Sequence, residues 1–313
     1  MNHKALNMNR SRCAQGSRLR GPIHLKDVLL WLALVFFLFS LSSYPASAQN
    51  LSPLDEGLKA YYQKRWDESA NSFQRAMEQN PKDTLAILYY LVANAQRGML
   101  AKIIDKLEEE SALKGTDPYV SARLAFAYYA KGRWNTSILE QAASEFRQAL
   151  RKQEIGPAYT GLGIISLDRM MLSRAKREFM KALELNPGDA VAAEFLGTIY
   201  LQDEKKPDEA LPLFQKVSQA SPLYPDGFYF MGRAYQDLGK TDDAVDLFKK
   251  TVFLDPLGIG KGYYASERLG DIYMNRQLFG EAVSAYKYSL QINPEDTGIK
   301  KKLADAEKAS KKR

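Results

Sequence analysis

From Leu54 to Pro294 the apolar positions of the chain recur at the spacing of an α-helix, in stripes broken at regular intervals by short polar turns such as LGKTDD at Leu238 and AKGRWN at Ala130. No segment alternates apolar and polar residues as a half-buried strand would, so the pattern predicts amphipathic helices joined in pairs. In RAKREFMKALELNPGD, Ala175, Phe179, Ala182 and Pro187 stand at successive offsets of four, three and five. The aromatic–small–proline part recurs as Phe73, Ala76, Pro81; as Phe214, Val217, Pro222; as Phe248, Thr251, Pro256; and as Tyr286, Ser289, Pro294. Successive proline intervals after Pro187 are 35, 34 and 38 residues, and the gap from Pro81 to Pro187 is close to three such periods. A second element precedes each set: LGIIS at Leu162, LGTIY at Leu196, MGRAY at Met231 and LGDIY at Leu269.

Each period therefore reads as two helices and a turn. Small residues at the crossing, such as Gly197 with Ala210 or Gly232 with Ala244, let the two axes approach, and the aromatic fills the space left between neighbouring units. Proline closes the second helix because it lacks an amide hydrogen and disfavours helix in the residue before it.

These residues resemble the tetratricopeptide repeat, whose pattern of about 34 residues carries Leu, Gly and Tyr in its first helix and Ala, Phe, Ala and Pro in its second. The resemblance implies an all-α fold, a right-handed superhelical solenoid of about seven helix-turn-helix repeats. The units are expected at residues 50–83, 84–117, 118–155, 156–189, 190–224, 225–258 and 263–296, with a basic capping helix over 297–313. Three places depart from the pattern. The second unit keeps Leu91, Gly98 and Leu107 but has no proline, so an irregular end is expected near EEESALKG. The third has about five extra residues between Trp134 and Ala142, expected to lengthen its turn. GIGK, Gly258 to Lys261, separates the last two units and reads as a loop on one face of the array.

In this family the first helices line the concave face. Carried onto this sequence, that places Leu54, Leu58, Tyr61, Leu88, Val92, Phe126 and Tyr129 in an apolar half of a partner-binding groove, and Tyr229, Arg233, Glu267 and Asp271 in a polar half. An exposed apolar half would take a helix or extended peptide; the alternative reading makes its aromatic stripe part of the core. The resemblance implies protein partners.

Charge is unevenly placed. The net charge is +7 over 313 residues, but residues 1–48 hold six Lys or Arg against Asp27, and the stretch after Asp296 is also basic. The remainder is slightly acidic, which argues against a nucleic-acid-binding body. Arg18, Arg20 and Lys26 precede an apolar run from Val28 to Phe39 and then Ala46-Ser47-Ala48. That order matches a secretory signal peptide cut before Gln49, the alternative being an uncleaved anchor as the sole membrane contact. Either reading places the repeats outside the cytoplasm, in a bacterial periplasm or envelope.

His3, His24 and Cys13 all precede Val28, so the repeats hold no His or Cys. That removes imidazole bases, thiol nucleophiles and most metal ligands; no catalytic residue, cofactor or metal is expected. GLGIIS at Gly161 and GIGKG at Gly258 have glycines but no preceding strand, and are not read as phosphate loops. Glu267 and Asp271, four apart on one helix, are read as part of an ion-pair network. The expectation is a non-catalytic scaffold in the cell envelope, in the assembly of envelope, secretion or pilus-type machinery. A carbohydrate-polymer-binding array and a self-assembling repeat protein are the alternatives.

Overall fold

A computed structural model describes residues 51–113, 117–132 and 134–312. The expected leader, 1–48, lies outside the described residues. The repeats fall in one compact unit.

Fifteen α-helices run through the described residues as seven pairs and a final single helix. The pairs are α1 (Pro53–Tyr62) with α2 (Trp66–Gln79), α3 (Thr84–Gln96) with α4 (Leu100–Leu113), and α5 (Pro118–Gly132) with α6 (Thr136–Lys152). They continue as α7 (Gly156–Asp168) with α8 (Leu172–Leu185), α9 (Ala190–Thr198) with α10 (Pro207–Ala220), α11 (Pro225–Asp237) with α12 (Thr241–Leu254), and α13 (Gly262–Asn275) with α14 (Phe279–Ile292). The last helix, α15 (Thr297–Ser310), buries Ile299 and Ala306 and packs on α14. No helix among the described residues is long and apolar enough to cross a membrane.

The pairing rests on one crossing, used repeatedly. A methyl group added to Gly57, Gly163, Gly197 or Gly232 would lie 2.7, 2.6, 2.7 or 2.9 Å from the ring of Phe73, Phe179, Phe214 or Phe248 respectively. Gly270 meets the ring of Tyr286 in the same way. Each ring is buried between two helices because its glycine has no side chain to displace it. Pro81, Pro187, Pro222, Pro256 and Pro294 each stand two residues beyond the end of a second helix. The turn inside a pair needs one left-handed residue, and glycine supplies it only at Gly98 (φ 68°) and Gly239 (φ 75°). Lys64, Met170, Lys205 and Gln277 take the same conformation at φ 56–60°.

The second and third units resolve differently, and the fifth adds an irregularity of its own. In the third unit the extra residues lengthen the helix and leave the turn short: Asn135 caps α6 by accepting from the amides of Ser137 and Ile138, and α6 runs for 17 residues. The fifth unit, whose proline interval is 35, absorbs its additional residue as a π-helical turn at Ile199–Asp203 between the first and second helices. In the second unit Leu91 and Leu107 stand where the regular crossing has glycine and aromatic. The side chain of Leu91 keeps the axes apart, and α4 packs chiefly on α5 instead of on α3.

Candidate functional site

The inner side of the array is drawn together across its first helices. Asp189, at the N-cap of α9, accepts through Oδ1 from the amides of Val191 (3.1 Å) and Ala192 (3.0 Å). Its Oδ2 accepts from the hydroxyls of Thr84 on α3 (2.7 Å) and Thr160 on α7 (2.8 Å). One buried carboxylate thus joins the second, fourth and fifth units. Asn186 adds a side-chain bond to the carbonyl of Lys82 at 3.4 Å.

A second layer of side chains continues the closure. Tyr62 and Tyr89 share a hydroxyl–hydroxyl bond of 2.7 Å, and the ring of Tyr89 meets that of Tyr224 edge-on at 5.9 Å. Tyr224 donates to Glu194 at 2.6 Å. The Gly258–Lys261 insertion seals the far side. Its backbone folds around Asp255, whose carboxylate accepts from the amides of Ile259 (2.9 Å), Gly260 (2.8 Å) and Gly262 (2.8 Å). The loop amides that could have cradled a phosphate are therefore taken by the protein's own carboxylate. Ile259 packs against the N-terminal core, and a methyl group on Gly260 would lie 2.9 Å from Asp226 Oδ1 and 3.2 Å from the Tyr62 ring.

Burial has electrostatic consequences here. Asp226 is pushed up to about 8, first by desolvation and then by the charge of Glu194, with Lys261 opposing. Its Oδ1 has no hydrogen-bond partner. Burial also raises Glu194, and it raises Tyr61 to about 12 with help from Asp226 and Asp255.

This closure corrects the groove expected from the sequence. Leu58, Phe126 and Tyr229 are at most 6% exposed and belong to the core. Leu54, Tyr61, Leu88 and Tyr129 are half-buried and lean on it. Val92 and Arg233 are half-buried as well. Glu267 and Asp271 accept from the Lys302 ammonium of α15 at 2.8 and 2.9 Å, and Asp271 also accepts from Tyr286 at 2.8 Å. That carboxylate pair is tied into an ion-pair network with the last helix. The closing residues Tyr62, Tyr89, Asp189, Tyr224 and Asp226 were not singled out by the repeat register; only the GIGK insertion signalled that something occupies this face.

A surface opening lies elsewhere. The separation of α3 from α4 leaves a cleft of about 590 Å³ between α2, α3, α4 and α5. Met77, Ile87, Leu91, Ile103 and Leu107 form its apolar floor. Tyr90 and Arg123 stand at one wall, where Arg123 meets Glu110 at 3.8 Å and its Nε is buried without a hydrogen-bond partner.

Helix pairs stacked through glycine–aromatic crossings define a helical-repeat fold. Family models described as tetratricopeptide repeat match residues 54–112 and 201–257, so the chain carries tetratricopeptide repeats in both halves of the array. Repeats of this kind point to a protein–protein interaction scaffold. The chain is 23% identical over 196 residues to the human mitochondrial import receptor subunit TOM70, covering 59% of this chain and 31% of that protein. It is 30% identical over 95 residues to the small glutamine-rich tetratricopeptide repeat-containing protein 2 of Mycosarcoma maydis, covering 30% of this chain and 26% of that one. The chain spans about a third or less of the length of these curated relatives. Among solved structures, the APC/C hetero-tetramer Cut9–Hcn1 aligns with a TM-score of 0.58 at 15% identity, over 89% of this chain and 52% of that one. Pseudomonas aeruginosa pilF aligns with a TM-score of 0.55 at 17% identity, over 71% of this chain and 97% of that one. Both likenesses concern the fold.

Proposed function

We propose that the protein is a non-catalytic scaffold of the bacterial cell envelope that works outside the cytoplasm and holds protein partners during assembly of envelope machinery. The observation that carries the scaffold reading is the closure itself. It uses the titratable groups of the inner face for packing and leaves recognition to the surfaces that remain open, the second-unit cleft and the half-buried polar face around Arg233. The carboxylates best placed for acid–base work, Glu267 and Asp271, are both ion-paired to Lys302 of the last helix and serve its packing. Location outside the cytoplasm is supported by the basic approach, apolar run and Ala46-Ser47-Ala48 of the leader.

Two measurements test this. Protein purified from native envelopes should begin at Gln49 or, if anchored, keep its leader and place an alkaline phosphatase fused after Arg313 in an active state. A fusion active only as a cytoplasmic reporter would refute the location. Photo-crosslinking from Arg233 and from Ile103 should capture defined partners that the exposed Lys216 does not. Equal capture from all three positions, or from none, would refute the scaffold reading.

A further inference from the structure

In the second unit the repeat crossing is altered, and the alteration makes a cleft. In the first unit and in the fourth to seventh a glycine lets the aromatic of the second helix sit between the two axes; here Leu91 stands at the glycine position and Leu107 at the aromatic one. Two leucines cannot interlock as glycine and phenylalanine do, so α4 swings towards α5 and the floor between α2 and α4 stays open. The cleft lies on the other side of α3 from the tyrosine closure: Tyr89 faces Tyr224, whereas its neighbour Tyr90 lines the cleft beside Arg123.

The chemistry of the walls selects an occupant. Ile103, Leu107 and Ile87 offer aliphatic surface. Arg123 brings a guanidinium that is incompletely used, since its link to Glu110 is long at 3.8 Å and its Nε donates to nothing. A buried donor of this kind is best completed by a carboxylate, which can accept from the guanidinium edge in a bidentate pair. Lys82 adds positive charge at the rim, where Lys106 pairs with Glu110 at 3.8 Å. The remaining rim groups are polar: Gln74 donates to Glu78, Asn80 accepts from the amide of Lys82 and Asp117 from that of Tyr119, and their remaining donor and acceptor capacity suits a peptide backbone and offers an alkyl chain nothing.

Resting on the scaffold reading, we infer that this cleft receives a peptide segment of the partner, which inserts large aliphatic side chains against Ile103 and Leu107 and sets a carboxylate on Arg123. The carboxylate is an acidic side chain or a chain terminus, and the test separates the two.

The full chain is used to select from displayed random 12-residue peptides with free C-termini, and synthetic copies of enriched sequences are titrated by fluorescence anisotropy. Enriched peptides should carry two or more of Leu, Ile, Met and Phe and should depend on one carboxylate for binding. Amidating the C-terminus, or replacing Asp or Glu by Asn or Gln, identifies which carboxylate is read; the relevant change should weaken binding about tenfold or more. The same change should have little effect on Arg123→Gln, whose own affinity for the unmodified peptide is lowered by a similar factor. This comparison alters the peptide as well as the protein, so a folding defect cannot imitate it. Binding that survives both amidation of the C-terminus and replacement of every Asp and Glu, additive losses in the cycle, displacement by decanoate, or no enrichment at all would each overturn the inference. Partner capture from Arg233 alongside any of those results would leave the scaffold reading standing.

Discussion

The hydroxyl of Thr84 donates to the carboxylate of Asp189 at 2.7 Å, across 105 residues of chain. A repeat array is ordinarily held by contacts between neighbouring units. This bond joins the second unit to the end of the fourth and the start of the fifth, and it uses the same carboxylate that caps α9. Local helix chemistry and long-range closure thus meet in one side chain. Removing Asp189 by Asp189→Ala takes away the cap and leaves the Thr84 and Thr160 hydroxyls buried without it, which should cost about 2–4 kcal/mol. Thr84→Val removes only the distant bond and should cost about 1 kcal/mol. Urea unfolding of both single variants and the double variant checks this. A double-variant loss equal to the sum of the single losses would show that the two residues are not coupled.

The repeat period, the helix pairs and their proline stops could be read from the sequence because each is local: a glycine and an aromatic sixteen residues apart encode one crossing. Even the π-turn at Ile199–Asp203 leaves a trace, the single extra residue between Pro187 and Pro222. The closure leaves no comparable trace. Asp189 has the look of any helix cap, and nothing near it in sequence points to Thr84. The first helices carry both inward-facing and core-facing apolar residues at one helical spacing, so periodicity alone could not separate Leu58, Phe126 and Tyr229 from a groove surface.

The carboxyl of Asp226 links this closure to pH. Its ordinary value of 3.8 is raised to about 8 in the folded chain, chiefly by burial and then by Glu194. The folded state therefore keeps a proton that the unfolded chain has already released, so stability is fullest below about pH 4 for this group and falls as pH rises through about 8. The groups facing it are Glu194, Asp255, Lys261 and the tyrosines at 61, 62, 89 and 224; Glu194, also raised, acts in the same direction. Between pH 6 and pH 8 unfolding free energy should decline by on the order of 1 kcal/mol per pH unit, and Asp226→Asn should flatten that slope. Urea titrations at several pH values check it, and an unchanged slope in the variant would assign the dependence to another group.

Four of the left-handed turn residues carry side chains. Met170, at φ 60°, is exposed at its turn. Met170→Gly relieves the steric cost of that conformation while giving the unfolded chain more freedom, so a net gain of about 0.5–1 kcal/mol is expected. Gly239→Ala, at φ 75° with open space around it, should lose a similar amount for steric reasons that involve the backbone alone. Opposite signs in calorimetric melting temperatures are the expected result.

The crossing itself can be tested in both directions. Phe179→Ala empties a ring-sized site against Gly163 and should cost about 3–5 kcal/mol, and Gly197→Leu forces a side chain into the Phe214 ring at a cost of about 1–3 kcal/mol. The second unit offers the converse. Leu91→Gly alone should be strongly destabilising, because it deletes a side chain that is 1% exposed. Leu91→Gly combined with Leu107→Phe writes the regular glycine–aromatic pair into that unit, so the double variant should recover much of the loss, draw α4 back onto α3 and narrow the 590 Å³ cleft. Hydrogen exchange in α4 should slow as the helix gains its regular partner. If the double variant regains stability and still binds the peptides selected by the natural chain, the altered crossing is not what shapes the cleft; if it regains stability and loses them, the two leucines mark where a packing rule of the repeat gave way to recognition.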